Sequence, residues 1–374
     1  MKTTFYNMEL QVDEEPDEQV DERGYDPLKT PYDIRPEDFP SSGTLEDQFR
    51  FLLRYAILAP SSHNAQPWRC ALTDAGIAVY ADYTRRLPVA DPGNRELLMS
   101  IGAFLMNLRV AAARFGFESR VDYDYGADSG RPLAFVRLVP RAPRERIASH
   151  LVPLFSAIRT RHTNRQPFLV TRIPQSALDD LRSAGRASQA GLLLSTDGAL
   201  NMKVGDLVAA GDRQMHASPE FRRELAEWVR PNWTRKRDGI TGAAFGVTGI
   251  TSALGPWATR TFDMGQTQAA RDKNLCAQAP LLAVIHGEDT LPQLLEAGEL
   301  LERIWLALTV EGLSCSFFNM LIGVPDLRVH LRSVLGLSSW PQLLLRVGYS
   351  LSESVATPRR PVQEILGAPD AAVT

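Results

Sequence analysis

Cysteine is scarce in this chain of 374 residues. The three that occur, Cys70, Cys276 and Cys315, are odd in number and far apart, which argues against a disulfide framework or a Cys-x-x-Cys site. No uncharged apolar run reaches the roughly 18–20 residues that a membrane-spanning helix needs, so no membrane partner is expected. The opening stretch, MKTTFYNMELQVDEEPDEQVDERGYD, lacks the apolar segment and small-residue cleavage site of a secretory signal, and the expected location is cytoplasmic. There is no GxGxxG after a strand, no GxxxxGK[ST], no GxSxG and no HExxH, which disfavours a hydrolase or a P-loop NTPase. The six histidines are dispersed, so no metal-ligand spacing is visible.

What is present is enough apolar residue, 44%, to bury a large core, with charge at an ordinary 23%. The net charge of −3 is unevenly spread. Residues 1–47 hold fourteen acids against four bases, a local −10 that leaves the remainder at about +7. A mildly basic body suits an anionic cofactor or substrate. Its bases are scattered without an aromatic-rich RNA signature, so nucleic acid is not an expected partner.

From Glu9 to Glu22 there are eight acids and no base, and residues 25–43 are rich in Pro, Asp and Gly, which reads as a solvated arm or a wrapping extension. Order is expected to begin at Thr44. There, Thr44 and Asp47 have capping-box spacing, Leu45, Phe49, Leu52, Leu53, Ala56 and Ile57 recur at helical period, and Pro60 marks the stop. GIAVYAD reads as a strand, and NRELLMSIGAFLMNLRVAAARFGF as a long helix apolar over most of its surface and therefore buried. SRVDYDYG and PLAFVRLV follow as strands. The second half runs in similar order, with PLLAVIHG as a strand, a second apolar helix from Pro292 to Gly312, and PQLLLRVGY as a late strand. That repetition suggests internal duplication. Residues 201–229 add two polar amphipathic helices, and the Gly/Thr-rich stretch 237–268 has the composition of a mobile flap.

Three polar or basic marks interrupt this order: APSSHNAQPW at 59–68, RTRHTNRQPF at 159–168 and ATPRRPVQEIL at 356–366. In the second, Arg161, Thr163 and Arg165 alternate, so an extended backbone sends them to one face. Two guanidinium forks and a hydroxyl on one side form a phosphate clamp, against the alternative of a solvated turn with surface arginines. In the third, flanking prolines hold Arg359 and Arg360 in a restricted loop or a solvent-facing tail.

Together the three marks resemble the FMN-dependent nitroreductase superfamily, in its internally duplicated Acg-like branch. APSSHNAQPW resembles the family's helix-end motif, RHTNRQPF its Arg-x-Ser/Thr-x-Arg-x-Phe signature, and TPRRP its near-terminal phosphate element. The resemblance covers residues 45–366. It implies an α+β nitroreductase-like fold, duplicated so that one chain resembles the usual homodimer, with central antiparallel or mixed sheets and long buried helices. The implied organisation is an acidic extension at 1–44, a first repeat at 45–150, and a second at 151–374 with a lid-like insert near 230–268. One composite FMN site is implied, because the first repeat carries the Pro-Ser-Ser segment and the second the arginine clamp.

By the same resemblance, Arg161, Thr163 and Arg165 hold the phosphate and ribityl end of FMN with Arg359 and Arg360. Pro60, Ser61, Ser62, Asn64 and Gln66 face the flavin from the other half, while His63 occupies a variable position and reads as structural or rim-exposed. Arg271 and Asn274 fall where the family places contacts to the pyrimidine edge, or at a solvated helix end. Ser316, Phe317 and Asn319 belong to the loop covering the ring, although Asn319 and Met320 stand where many active reductases carry Glu-Gly. The implied activity moves two electrons through flavin between NAD(P)H or an organic donor and a nitro compound, quinone or oxygen. No catalytic side chain is required, since the flavin carries the chemistry. Two alternatives stay open: a lidded flavin-storage protein, and a dedicated dehydrogenase or oxidase of one metabolite. A small-molecule substrate is expected, the acidic arm either docks a protein partner or folds over the body, and the chain is a monomer or a weak dimer.

Overall fold

A computed structural model of the chain describes residues 25–124, 130–142, 149–353 and 355–367. Helix α1 (Leu45–Ala56) begins as its sequence dictates. The Thr44 hydroxyl accepts the Asp47 N–H at 3.1 Å and the Asp47 carboxylate accepts the Thr44 N–H at 3.0 Å. Phe49, Leu52, Leu53 and Ala56 form its buried stripe. Strands β1 (Trp68–Thr73) and β2 (Gly76–Ala81) follow, then α2 (Arg95–Arg114), β3 (Phe117–Tyr123) and β4 (Ala134–Pro140). All pairings in this sheet are antiparallel, in the order β1-β2-β4-β3.

The second half begins with α3 (Gln175–Arg186) and β5 (Gly191–Ser195), and continues through α4 (Gly198–Ala217) and α5 (Pro219–Trp228). A two-residue parallel pair, β6 (Val229–Arg230) with β7 (Ile240–Thr241), opens the flap, which carries α6 (Gly255–Thr261) and leads into α7 (Gly265–Ala277). Then come β8 (Leu281–Gly287), α8 (Leu291–Val310), β9 (Ser314–Phe317), α9 (Pro325–Val334) and β10 (Trp340–Gly348). This second sheet is again antiparallel, in the order β5-β8-β10-β9. Each sheet therefore repeats one plan, in which a long helix links the second strand to the third.

Those two long helices, α2 and α8, pack on each other at the centre of the molecule. A Cβ built on Gly102 would overlap the Leu295 carbonyl oxygen, and one on Gly298 the Met99 carbonyl oxygen. Glycine at both places lets the backbones touch. The all-round apolarity of these helices follows, because each is covered on one side by its own sheet and on the other by its counterpart. By length and composition α2 could cross a membrane, but it lies mostly buried inside the fold.

The expectation that order begins at Thr44 needs correction. Residues 25–43 form a strap against the body, with Pro31 and Ile34 buried. The Tyr25 hydroxyl donates to the Arg359 carbonyl at 2.6 Å and the Tyr32 hydroxyl to the Thr357 carbonyl at 2.8 Å. Phe39 stacks on Phe115 with ring centroids 4.3 Å apart. A reading weighted by charge and proline content missed these three aromatic anchors. The acidic run 9–22 lies outside the described residues. In the flap, Ile240, Gly242, Ala244 and Ser252 are buried, while Ile250, Leu254, Trp257 and Phe262 are exposed.

Candidate functional site

The end of α1 is where the three sequence marks meet. Past the helix, whose last residue is Ala56, the turn carbonyls of Leu58 and Ala59 accept from guanidinium groups. Arg161 donates to the Leu58 carbonyl at 2.8 Å, and Arg359 reaches the Leu58 and Ala59 carbonyls at 3.2 and 3.3 Å. Arg161 also lies over the Trp305 ring at 4.4 Å and pairs with Glu302 of α8 at 3.0 Å. Arg161, Arg359 and Glu302 are 2%, 2% and 0% exposed, so two cations and one carboxylate are sealed together. With its amide turned to satisfy both neighbours, Asn107 of α2 donates to Glu302 at 2.9 Å and accepts the Ala59 N–H at 3.1 Å. Burial pushes the Glu302 carboxyl up to about 7, against the opposing pull of Arg161 and Arg359. Nearby His162 is driven down to about 3 by burial and by the same two arginines, so it adds no charge. The Nε–H of Arg359 is buried without a partner among the described residues.

The segment 60–66 is locked under this cluster in a strained conformation. His63, Asn64 and Gln66 have φ of 53, 56 and 54°, three of the four positive-φ non-glycine residues among those described. Such strain persists only where surrounding contacts fix the backbone, and it concentrates at functional sites. Here the Ser61 hydroxyl oxygen accepts the Gln66 N–H at 2.9 Å. The Asn64 amide donates to the Gly239 and Pro358 carbonyls at 2.9 and 2.8 Å and accepts from Arg359 at 2.7 Å. Gln66 donates to the Arg237 carbonyl at 2.8 Å and accepts the Arg360 N–H at 2.8 Å. Both amides, read from sequence as facing a ligand, are thus turned inward onto backbone carbonyls of the protein. Half-buried Pro60 leads into this segment, and Ser62 donates to Glu96, a carboxyl raised by burial. Arg360 donates to the Gln66 and Glu364 carbonyls at 3.2 and 3.1 Å.

The expected single-faced clamp is split in two. Thr163 bridges in parallel to Cys315 beside β9, and Arg161 turns into the core. Arg165 turns the other way, to the Ala244 carbonyl at 3.5 Å and the Phe245 ring at 5.0 Å. The divergence follows from local chemistry: Arg161 pairs with Glu302 of α8, whereas Arg165 reaches the Ala244 carbonyl. At the second pole Arg271 donates to the Arg165 carbonyl at 2.9 Å. Buried Arg346 of β10 donates to the Asn164 and Gln166 carbonyls at 3.2 and 3.0 Å. Burial lowers Arg165 and Arg346 to about 10 each, while burial raises the Asp272 carboxyl that faces them.

Ser316 is buried opposite Arg346 in the β9–β10 register. Other expected contacts lie elsewhere. Asn274 is exposed on α7, Phe317 packs edge-on against Trp305 at 5.1 Å, and Asn319 accepts the Leu344 N–H at 3.0 Å. Glu302, Asn107, Arg346 and Asp272 were not anticipated. Their signal was legible in part, because Glu302 and Arg346 are charges inside otherwise apolar elements and must be paired when buried.

Two helix-linked antiparallel sheets meeting around a buried cluster of arginines define the class: a duplicated α+β protein. No family model matches the chain. It is 28% identical over 341 residues, 89% of its length and 93% of the relative's, to a Mycobacterium tuberculosis protein provisionally named NAD(P)H nitroreductase Rv3131. It is 26% identical over 87% of its length to the M. tuberculosis protein provisionally named NAD(P)H nitroreductase Acg, and 25% identical over 86% to PigM of Serratia, named a probable NAD(P)H nitroreductase. Among solved structures, an FMN- and NADPH-dependent nitroreductase NfnB covers 57% of this chain and 97% of its own, at 17% identity and a TM-score of 0.38. The similarity to the first three runs over most of this chain and most of each relative.

Proposed function

We propose that this chain is an FMN-dependent oxidoreductase drawing electrons from NAD(P)H or an organic donor and passing them to a nitro compound, quinone or oxygen. The observation that carries this reading is the sealed cluster of Arg161, Arg359 and Glu302, which holds one more cation than anion. A buried charge without a counter-ion costs several kcal/mol, on the order of what a phosphate would offset. The partnerless Nε–H of Arg359 is the donor that such a group would take up. The residues present therefore fit the phosphate of FMN, with Arg161 and Arg359 holding it and Arg360 bracing the loop through Gln66. The pole formed by Arg165, Arg271 and Arg346 suits the electron-rich ring end.

FMN, when bound, supplies two-electron transfer. The chain's own part is to bind, orient and exclude water. The strained 60–66 segment sets the wall of the site, and the flap covers Arg165 through Ala244 and Phe245. That covering contact favours a second reading, a storage protein whose flap excludes a reaction partner. Mixing flavin-loaded protein with NADH or NADPH without oxygen separates the two. Prompt loss of the oxidised flavin band supports the oxidoreductase, and persistence supports storage or a dedicated donor. A wild-type protein that neither carries nor accepts FMN would end both readings.

A further inference from the structure

Equal helix lengths let the two repeats be compared residue by residue. Helices α2 and α8 each have 20 residues, and the touching glycines, Gly102 and Gly298, hold the same position in both. Helices α1 and α3 each have 12. In the first repeat, the space between α1 and the C-terminal end of α2 is filled with rings. Phe51 and Tyr55 of α1 meet Phe115, the residue that ends α2, at centroid distances of 5.4 and 6.2 Å. Phe39 of the strap stacks on Phe115, and Phe155 of the turn Val152–Ala157 closes on Tyr55 at 4.8 Å.

The second repeat has no ring at the matching positions. Leu181 stands for Phe51, Gly185 for Tyr55 and Glu311 for Phe115. Leu169, as far ahead of α3 as Phe39 is ahead of α1, is exposed and gives its N–H to the Tyr349 carbonyl at 2.8 Å. What the first repeat fills with rings is here a cavity of about 390 Å³, walled in part by Leu154, Leu181, Ala184 and Leu308. Arg303 of α8 reaches it from the position that Asn107 holds on α2. Its half-buried guanidinium makes no hydrogen bond and no ion pair among the described residues. Burial lowers it, with no carboxylate opposing the shift. Asp180, Glu311 and His150 form an exposed polar rim, and neither acid comes within the 4.0 Å of an ion pair with Arg303. The five donors of a fork that matches a carboxylate are therefore unused beside an apolar space.

We propose that this cavity binds a small aromatic carboxylate, its ring lying where the first repeat carries its own phenyl groups and its carboxylate held by Arg303. Apolar walls with one placed charged group, enclosing a few hundred Å³, are the usual form of a small-molecule site. The buried ring supplies affinity and the guanidinium fork supplies orientation. The lining shares no residue with the Arg161–Arg359–Glu302 cluster, so the site stands independently of the flavin reading.

The test is calorimetric titration of the full chain, as purified, with 3-phenylpropionate. Wild type is expected to bind with a Kd of about a millimolar or tighter. Arg303→Gln should weaken binding about tenfold or more. The uncharged 3-phenylpropan-1-ol should bind wild type more weakly by a similar factor and be indifferent to Arg303→Gln. Leu181→Phe returns the ring that the first repeat has at this position and should abolish binding, with thermal unfolding confirming that the variant is folded. The proposal is overturned if wild type fails to bind the acid at about 10 mM, if Arg303→Gln binds it like wild type, or if folded Leu181→Phe does. Should Leu181→Phe not fold, Arg303→Gln decides alone.

Discussion

The stretch entering α1 and the stretch entering α3 hold matching places ahead of two sheets of the same strand order, yet they carry opposite charge. Before α1 stand Asp33, Glu37 and Asp38, with Arg35 tied to Asp38 at 3.0 Å in solvent. Before α3 stand Arg161 and Arg165, both drawn into the interior. Conversely, the first repeat follows its helix with the carbonyls and amides of 58–66, and nothing comparable follows α3. The frame common to both repeats is held by apolar packing, which is indifferent to what the connecting loops carry. The loop after α1 and the loop before α3 meet in one buried arginine cluster, so the two halves share one architecture while contributing different groups to it.

The frame breaks with the largest effect. Gly102→Ala or Gly298→Ala drives a methyl into backbone of the opposite helix, and each is expected to cost about 3 kcal/mol or more in urea unfolding. A stability near wild type would mean that the helix pair does not require this approach. Next comes the second repeat's cation. Arg161→Ala leaves Glu302 buried without its partner, at about 2–3 kcal/mol. The loss should be larger at pH 8 than at pH 6, where Glu302 takes up a proton, and equal losses at both would argue against a strained carboxylate.

A smaller effect tests the same group by its titration. Burial raises Glu302 from an ordinary 4.5 to about 7, so the folded state holds the proton more tightly than the unfolded chain. Its contribution to stability is full below about pH 4.5 and is lost as pH rises through about 7. Glu302→Gln should flatten that decline in thermal unfolding followed from pH 5 to 8. The smallest pair contrasts strap and solvent. Tyr32→Phe removes the bond to the Thr357 carbonyl and should cost about 1 kcal/mol, whereas Arg35→Ala should produce no measurable change.

Much of the frame could be read directly. The capping box of α1, the apolar runs of α2 and α8, and the strands β2, β3, β4, β8 and β10 all follow from local pattern. Strand β1 was hidden because Trp68, Cys70 and Leu72 alternate with only a few polar residues, and β5 because GLLLS is too short to show a period. The three site motifs were found by residue type, yet the direction of each side chain was not. Asn64 and Gln66 look identical in sequence whether they face a ligand or the Pro358 and Arg237 carbonyls. Arg161 and Arg165 alternate on paper as one clamp.

The chain's own order of residues decided where helices start and stop, which helices must be interior, and that two halves repeat. Those outcomes depend on interactions a few residues apart, namely caps, periodicity and proline. Tertiary structure alone decided the destination of each polar group. A guanidinium goes to whichever carboxylate or carbonyl folding brings within about 3 Å, and Glu302, Leu58, Arg359 and Asn107 come from four separate places in the chain.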